Sequence, residues 1–139
     1  MQVHEIMTKN PKVLPASSTI REAASRMKEL HIGAVPVSRD DKVVGLLTDR
    51  DIAIKAVAEG KGPEDSVDSL VDGKVLYCYE KDDVENVLRN MQSQNVQRLL
   101  VMDSDQNKDL TGIITLSDIA DKCADSLPQD IARACKTYH

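Results

Sequence analysis

Two stretches of this chain repeat each other, and the repeat constrains the fold more than any other feature of the sequence. Residues 19–27 (TIREAASRM) align with residues 83–91 (DVENVLRNM) at an offset of 64. Residues 45–55 (GLLTDRDIAIK) align with residues 112–122 (GIITLSDIADK) at an offset of 67, and six of these eleven positions are identical. The change of offset falls in a polar stretch, where an insertion is least costly. The chain therefore contains two copies of one folding unit.

Both copies predict the same order of secondary structure. Apolar residues at helical spacing follow Thr19 and Asp83, and Thr19 with Glu22 fits a capping box. A second helix is expected to start near Asp51 in the first copy and near Asp118 in the second. Between the two helices lie short apolar runs separated by a polar turn, at 34–37 and 43–47 and, in the second copy, at 99–102 and 110–114.

The apolar runs do not alternate with polar residues, which is typical of strands covered on both faces. Each copy is therefore predicted to fold as β-α-β-β-α, of the α/β (α+β) class, with Gly60 ending the last helix of the first copy. Because a unit of about 60 residues buries little surface alone, we expect the copies to pack as a pseudo-twofold pair. The predicted segments are 1–65 for the first repeat with an N-terminal segment, 66–124 for the second repeat, and 125–139 for a short C-terminal helical tail.

Composition narrows the class of protein. The chain carries 18 basic and 23 acidic residues, a formal net charge of −5, and 41% of its residues are apolar. This balance is typical of a globular protein and disfavours nucleic-acid binding, which needs clustered Lys and Arg. No apolar run approaches the roughly 18 residues that span a bilayer, and no secretory signal is visible. Three cysteines without a CxxC pair (Cys78, Cys123 and Cys135) fit a reducing compartment, so we expect a cytoplasmic protein without a membrane partner.

Four motifs carry a resemblance to a known family. They are 31–37 (HIGAVPV) and 45–52 (GLLTDRDI) in the first copy, and 96–101 (VQRLLV) and 112–119 (GIITLSDI) in the second. Over residues 3–124 the chain resembles a tandem pair of CBS (cystathionine β-synthase) domains of the stand-alone bacterial type.

The resemblance implies a class of function as well as a fold. CBS pairs hold two clefts between their repeats, and in many members a cleft takes an adenosine-containing ligand: AMP, ADP, ATP, NAD or S-adenosylmethionine. The modules commonly form homodimers and act as sensors, not as enzymes. The resemblance therefore implies a non-catalytic regulatory module that signals in trans to a protein target that the sequence does not identify.

Two Thr-x-x-Asp motifs are the candidate ligand contacts. Thr48 and Asp51 in the first copy, and Thr115 and Asp118 in the second, lie where a strand is predicted to turn into a helix. The N–H groups of a helix start suit a phosphate, a Thr hydroxyl donates to a phosphate oxygen, and a carboxylate accepts from ribose hydroxyls. The family assigns these roles to the motif. The same residues also fit a capping box that satisfies the helix itself, and the sequence leaves both interpretations open.

Other candidates flank these motifs. Arg50 lies inside the first motif and either pairs with phosphate or lies in solvent, while Arg98 replaces the small Ala34 and either contacts phosphate or lines a dimer surface. For Tyr77 and Tyr79, packed rings with solvated hydroxyls are favoured over stacking on adenine. Apolar candidates for the walls around adenine, which are also typical core residues, are Val13, Val35, Val75 and Leu99.

The sequence offers no catalytic constellation. Its three histidines fit no metal-ligand spacing, and its cysteines are typical of small buried residues. Because Gln97 and Arg98 stand where the first copy has Gly33 and Ala34, we expect the two clefts to differ. Two functions stay open: the nucleotide sensor, and a structural or protein-interaction module with vestigial, ligand-free clefts.

Overall fold

A computed structural model describes residues 1–123. The predicted tail at 125–139, with Cys135 in it, lies outside the described residues. A short helix at Asp49–Asp51 continues as a π-helix over Ile52–Val57, and 3₁₀ turns cover Val3–Glu5 and Val67–Leu70. In chain order the other elements are β1 (Thr8–Lys9), β2 (Leu14–Pro15), α1 (Ile20–Leu30), β3 (Ala34–Arg39), β4 (Lys42–Thr48), α2 (Asp49–Asp51), β5 (Tyr77–Tyr79), α3 (Val84–Gln94), β6 (Arg98–Met102), β7 (Leu110–Thr115) and α4 (Leu116–Cys123).

These elements form two compact units. The continuous unit is Lys12–Val75, and the split unit joins Met1–Pro11 to the described residues from Leu76 to Cys123. The predicted segments 1–65 and 66–124 follow the sequence repeats, whereas the structure folds the first eleven residues with the second repeat.

The continuous unit is a three-stranded sheet with helix α1 beside it. Strand β2 runs parallel to β3, and β3 runs antiparallel to β4. Helix α1 begins where Thr19 Oγ1 accepts the Glu22 N–H (3.1 Å), and it ends at His31 in the left-handed conformation. Its N–H groups at Ile20 and Arg21 are satisfied by carbonyls of the loop that precedes the second 3₁₀ turn. The core is built from apolar residues of the helix and sheet, including Ile20, Ala23, Met27, Val35, Val37 and Leu47.

The split unit is a four-stranded sheet in the order β1-β7-β6-β5, with helices α3 and α4. Its first strand comes from the N-terminal segment, which pairs antiparallel to β7. The Met1 carbonyl accepts the Val84 N–H at the start of α3 (2.9 Å). Three apolar residues of the segment, Val3, Ile6 and Met7, are buried in the core of this unit. Burial of these side chains explains why the segment folds with the second repeat and not with the first.

The predicted α/β class and the order of elements are confirmed in both repeats. The second helices begin at Asp49 and Leu116, two residues earlier than predicted, because the preceding Thr already caps each helix. Gly60, which was predicted to end the first of them, follows the π-helix with φ +79°. Across residues 1–123, no helix is long and apolar enough to cross a membrane.

Candidate functional site

Thr48 and Asp51 form a reciprocal capping box at the junction of β4 and α2. The Thr48 N–H donates to Asp51 Oδ2 (2.9 Å), and the Asp51 N–H donates to Thr48 Oγ1 (3.1 Å). Extended backbone at Thr48 ends the strand, and its side chain starts the helix. The Asp51 side chain keeps 21% of its surface exposed. The two predicted ligand residues of the first repeat are therefore brought together at a half-buried position.

Thr115 and Asp118 repeat this geometry at the junction of β7 and α4. The Thr115 N–H donates to Asp118 Oδ2 (3.1 Å), and the Asp118 N–H donates to Thr115 Oγ1 (3.0 Å). Both residues are half-buried. The capping interpretation is therefore realised in both repeats, and each Asp keeps a second carboxylate oxygen outside the box.

The surroundings of the two boxes differ. Lys55 Nζ lies 3.4 Å from Asp51 Oδ1, the oxygen outside the first box. The matching Lys122 donates instead to the Ile6 carbonyl (2.9 Å), so it is held by the N-terminal segment. In the first box, the Arg50 N–H donates to the side chain of Asp49 (2.8 Å). The second box has Leu116 in place of Asp49, and the apolar Leu116 side chain cannot accept the corresponding hydrogen bond.

The two predicted cations are placed differently. Arg50 is exposed, inside the first motif. Arg98 is half-buried at the start of β6, where it pairs directly opposite Thr115 in β7. Within residues 1–123, no carboxylate forms an ion pair with Arg98. A half-buried guanidinium beside the second Thr-x-x-Asp motif is suited to an anionic group of a ligand.

The predicted adenine walls divide into buried and accessible residues. Val35 and Leu99 are almost completely buried in the cores of the continuous and split units. Val13 is exposed and Val75 is half-buried. The Val13 carbonyl accepts a hydrogen bond from the Arg26 guanidinium (3.3 Å). Contact of any of these four residues with adenine stays a prediction.

Tyr77 is an accessible aromatic residue that the sequence interpretation assigned to packing. It is 37% exposed at the start of β5, and its ring lies 5.6 Å from that of Tyr79 at 78°. The Tyr79 hydroxyl, as predicted, is at the surface and donates to Asp105 Oδ1 (2.9 Å). The repeat offset of 64 aligns Tyr77, and not Val75, with Val13 of the predicted adenine walls.

Perturbed ionisable groups lie outside the Thr-x-x-Asp motifs. The hydrogen bond to Asp105 raises the pKa of Tyr79. Burial raises the pKa of the Cys78 thiol to about 12 and also raises that of Cys123. Neither thiol is thereby suited to act as a nucleophile. In the described part of the chain, no three His, Cys, Asp or Glu side chains form a group that could hold a metal ion.

Comparisons with known proteins agree with this architecture. A profile of the CBS domain matches residues 3–57 and 67–125. The chain is similar to the CBS domain-containing protein YhcV of Bacillus subtilis, with 33% identity over 118 residues that cover 85% of this chain and 82% of that protein. It is also 33% identical over 118 residues to Hypoxic response protein 1 of Mycobacterium tuberculosis, which covers 84% of this chain and 80% of that protein.

Solved structures add two further likenesses. Hypoxic Response Protein I with two coordinated zinc ions matches with a TM-score of 0.76 and 32% identity, covering 92% of this chain and 100% of that one. The CBS domain pair of protein MJ0100, in complex with 5′-methylthioadenosine and S-adenosyl-L-methionine, matches with a TM-score of 0.77 and 27% identity, covering 87% and 94%. The repeated fold, the profile match over both repeats and relatives matched over most of their length lead to one conclusion: this chain belongs to the CBS-domain family.

Proposed function

We propose that the protein is a non-catalytic regulatory module that binds an adenosine-containing nucleotide at its two Thr-x-x-Asp motifs. The observation that carries the proposal is the repeated geometry of Thr48 with Asp51 and of Thr115 with Asp118. In each pair one carboxylate oxygen caps the helix, and the other is directed outside the capping box. Binding of an adenosine-containing ligand is also supported by the complex of the MJ0100 CBS domain pair with two such ligands.

Each residue of a motif has a distinct role in this proposal. The carboxylate oxygen outside the box accepts hydrogen bonds from ribose hydroxyls, which favours ribose over deoxyribose. The Thr hydroxyl, whose oxygen accepts the Asp N–H, donates its own hydrogen to a phosphate oxygen. Arg50 and Arg98 supply positive charge near that phosphate. The candidate ligands are AMP, ADP, ATP, NAD and S-adenosylmethionine.

The regulatory mechanism is a population shift. A ligand that binds one conformation of the module more tightly than another increases the fraction of that conformation. In this proposal the protein is a cytoplasmic homodimer, and it signals to a separate protein target.

A second candidate function is a structural or protein-interaction module whose motifs serve only as caps. The observation that favours it is that Thr48 and Asp51, like Thr115 and Asp118, already satisfy each other's N–H groups. In that case nucleotides change neither the melting temperature nor the oligomeric state.

Thermal unfolding, followed by circular dichroism with each of the five ligands, separates the two functions. A ligand at 100 times its Kd adds about 2.7 kcal/mol to the free energy of unfolding. For a chain of this size the melting temperature then rises by roughly 5 to 15 °C. No shift with any of the five at millimolar concentration would reject the sensor in favour of the structural module.

The residue assignment is tested with Asp51→Asn combined with Asp118→Asn. Asparagine keeps an oxygen that can accept the Thr N–H, but it loses the charge. Because a hydrogen bond to a charged group contributes about 1.5–3 kcal/mol, we expect affinity to fall about tenfold or more. Asp83→Asn, at the start of α3, makes the same change of charge away from the motifs and serves as the control. Unchanged affinity in the double variant would contradict the assignment.

A further inference from the structure

We propose that residues 71–74 are a strap that closes onto the free edge of β4, and that the closed strap stabilises the Thr-x-x-Asp motif of the continuous unit. The strap has two states: unpaired, as in the structure, and paired, as a fourth strand of the sheet. Pairing needs no ligand, and only its coupling to a nucleotide rests on the proposed function.

The split unit contains the paired form of the same segment. The 3₁₀ turn Val3–Glu5 leads into β1, which pairs antiparallel to β7 with Thr8 opposite Ile113. Two residues further on, the Asn10 N–H donates to the Thr111 carbonyl (3.0 Å). Strand β7 runs directly into the second Thr-x-x-Asp motif, so the added strand stabilises the strand that carries the motif.

The continuous unit has an equivalent segment that is not paired. The offset of 64 aligns the 3₁₀ turn Val67–Leu70 with Val3–Glu5, and residues 71–74 with residues 7–10. Among the strands of residues 1–123, however, β4 pairs with β3 alone. The edge of β4 that corresponds to the paired edge of β7 is therefore free.

The first residue of the strap already lies beside β4. Val71 has an extended backbone (φ −110°, ψ 136°) and packs against the core of the continuous unit. A Cβ on Gly45 would contact Val71 at 3.4 Å, and a Cβ on the matching Gly112 would contact Met7. The 3₁₀ turn before the strap is also anchored, by two buried residues. Only residues 72–74 therefore have to change conformation for the strap to pair.

A local turn keeps these three residues out of the strand conformation. The Asp72 carboxylate accepts the Lys74 N–H (3.0 Å), and Gly73 has φ +79°, which lies outside the range of a strand. The repeat aligns the Lys74 N–H with the Asn10 N–H, so its acceptor in the paired state is the Val44 carbonyl. The Asp72 side chain and the Val44 carbonyl thus compete for one N–H group.

Strand β4 has a matching group on its free edge. Leu46 lies opposite Pro36 of β3, and Pro36 has no N–H to exchange with it. Because N–H groups alternate between the two edges of a strand, the Leu46 N–H points to the free edge. The equivalent residue Ile113 pairs with Thr8 in the split unit. A paired strap places Asp72 opposite Leu46, two residues before the motif.

Lys55 connects the strap to the motif. Its Nζ lies 3.4 Å from Asp51 Oδ1. The hydrogen bond from Lys74 lowers the pKa of the Asp72 carboxyl, and the positive charges of Lys55 and Lys74 lower it further. One lysine therefore interacts with the motif carboxylate and with the residue that keeps the strap unpaired. Because coupling between sites is reciprocal, a ligand that favours the paired strap binds more tightly once the strap is paired.

Hydrogen exchange, measured residue by residue by NMR, tests the pairing without a ligand. Asp72→Thr combined with Gly73→Lys gives the strap the residues of β1. It removes the carboxylate that stabilises the turn, and a side chain at position 73 disfavours positive φ while finding open space. We expect the Leu46 N–H to exchange about tenfold more slowly, and the capping-box N–H groups of Thr48 and Asp51 to slow as well.

The reciprocal variant is the matched control. Thr8→Asp combined with Lys9→Gly puts the residues of the strap into β1, and circular dichroism checks that each variant folds. We expect the Ile113 N–H to exchange about tenfold faster. If exchange at Leu46 is unchanged in the strap variant, the strap is overturned. If Leu46 slows while Thr48 and Asp51 do not, the claim that the strap stabilises the motif is overturned.

AMP tests the coupling in a chain that carries Asp118→Asn, which leaves the first motif to bind. We expect AMP to slow exchange at Leu46, and the strap variant to bind AMP about fivefold more tightly by calorimetry. If AMP binds without either effect, the coupling is overturned while the nucleotide sensor stands. If AMP does not bind, the proposed function fails at this motif, whereas slower exchange in the strap variant still supports the strap.

Discussion

The two repeats place the same capping box at the start of helices that are packed in different ways. Helix α4 buries Leu116, Ile119 and Cys123 in the core of the split unit. Helix α2 buries none of its three residues, and its π-helical extension buries only Ala56 and leaves Ile54 and Val57 exposed at 47% and 70%. The repeated Thr-x-x-Asp motif therefore starts one helix that buries three core residues and another that, with its π-helical extension, buries only Ala56.

The two sheets differ in whether a further strand pairs with the strand that precedes the motif, and this accounts for part of the difference. In the split unit, β1 pairs with β7, and the following Lys122 is tied to the Ile6 carbonyl of the same segment. In the continuous unit, β4 is an edge strand of its sheet. Additional pairing and burial raise the local stability of the elements that they involve. The motif of the split unit is therefore the more rigidly supported of the two.

The largest effect that distinguishes the repeats is expected from their matching glycines. A Cβ at Gly112 would lie 2.5 Å from Met7 Sδ and 2.9 Å from the Thr8 carbonyl oxygen, so Gly112→Ala must displace the N-terminal segment. Overpacking of this kind lowers the free energy of unfolding by about 1–3 kcal/mol. Urea unfolding followed by circular dichroism measures the loss.

Gly45→Ala is the matched control for this variant. A Cβ at Gly45 would meet Val71 at 3.4 Å, an ordinary van der Waals contact. Because Gly in a strand is about 0.5–1 kcal/mol less favourable than Ala, this variant is expected to be neutral or slightly more stable. Equal losses in the two variants would show that the N-terminal segment does not pack tightly on Gly112.

The caps themselves should also differ in their effect on stability. Loss of an N-cap hydroxyl costs about 1 kcal/mol, and Thr115→Ala should lower the free energy of unfolding by this amount because α4 belongs to a core. Thr48→Ala should cost less, since α2 and its π-helical extension bury only the small side chain of Ala56. Hydrogen exchange gives a direct measure, with faster exchange confined to the first turn of α2 in Thr48→Ala. A larger loss for Thr48→Ala than for Thr115→Ala would reverse the comparison.

Much of this comparison could be predicted from the sequence, because the features involved are determined by residues close together in the chain. The paired strands of each repeat and the positions of both Thr-x-x-Asp motifs depend on side chains and backbone conformations within a few residues. Local rules for caps and apolar spacing are sufficient for such features.

The parts that the sequence did not predict are long-range. Neither periodicity nor capping rules indicate that Met1–Pro11 folds with the second repeat, because this depends on which core buries Val3 and Met7. Lys55 and Lys122 occupy matching positions, yet only the structure shows that one approaches a carboxylate and the other a carbonyl of a distant segment. Exposure of Tyr77 likewise depends on the complete packing of the chain and not on its neighbours in sequence.

A smaller effect is expected from the turns between the paired strands. The continuous unit closes β3 and β4 with Asp40 and Asp41, both at positive φ (53° and 63°), which is the backbone of a type I′ turn. Asn-Gly is the preferred pair for this turn, so Asp40→Asn with Asp41→Gly should raise the free energy of unfolding by about 0.5 kcal/mol. The midpoint of urea unfolding should rise accordingly. A lower midpoint would show that the aspartates contribute contacts beyond the turn itself.

The smallest effect concerns the longer turn of the split unit, and it depends on pH. Asp103 accepts hydrogen bonds from the N–H groups of Asp109 (2.9 Å) and Ser104 (2.7 Å), and these bonds lower the pKa of its carboxyl. A lowered pKa in the folded state means that the carboxylate stabilises the turn at pH values above its unfolded pKa, near 4. That contribution is lost as the pH falls through the lower, folded pKa.

Asp103→Asn should therefore lower the urea midpoint near pH 6, and the difference from the wild type should shrink as the pH falls below about 4. Asp72 of the continuous unit provides the matched control. Its pKa is also lowered, and the main cause is a single hydrogen bond from the N–H of Lys74. Asp72→Asn should show the same trend with a smaller amplitude, because fewer hydrogen bonds depend on its charge. A constant difference between Asp103→Asn and the wild type from pH 6 to pH 2 would mean that the turn is held by its backbone conformation and not by the carboxylate.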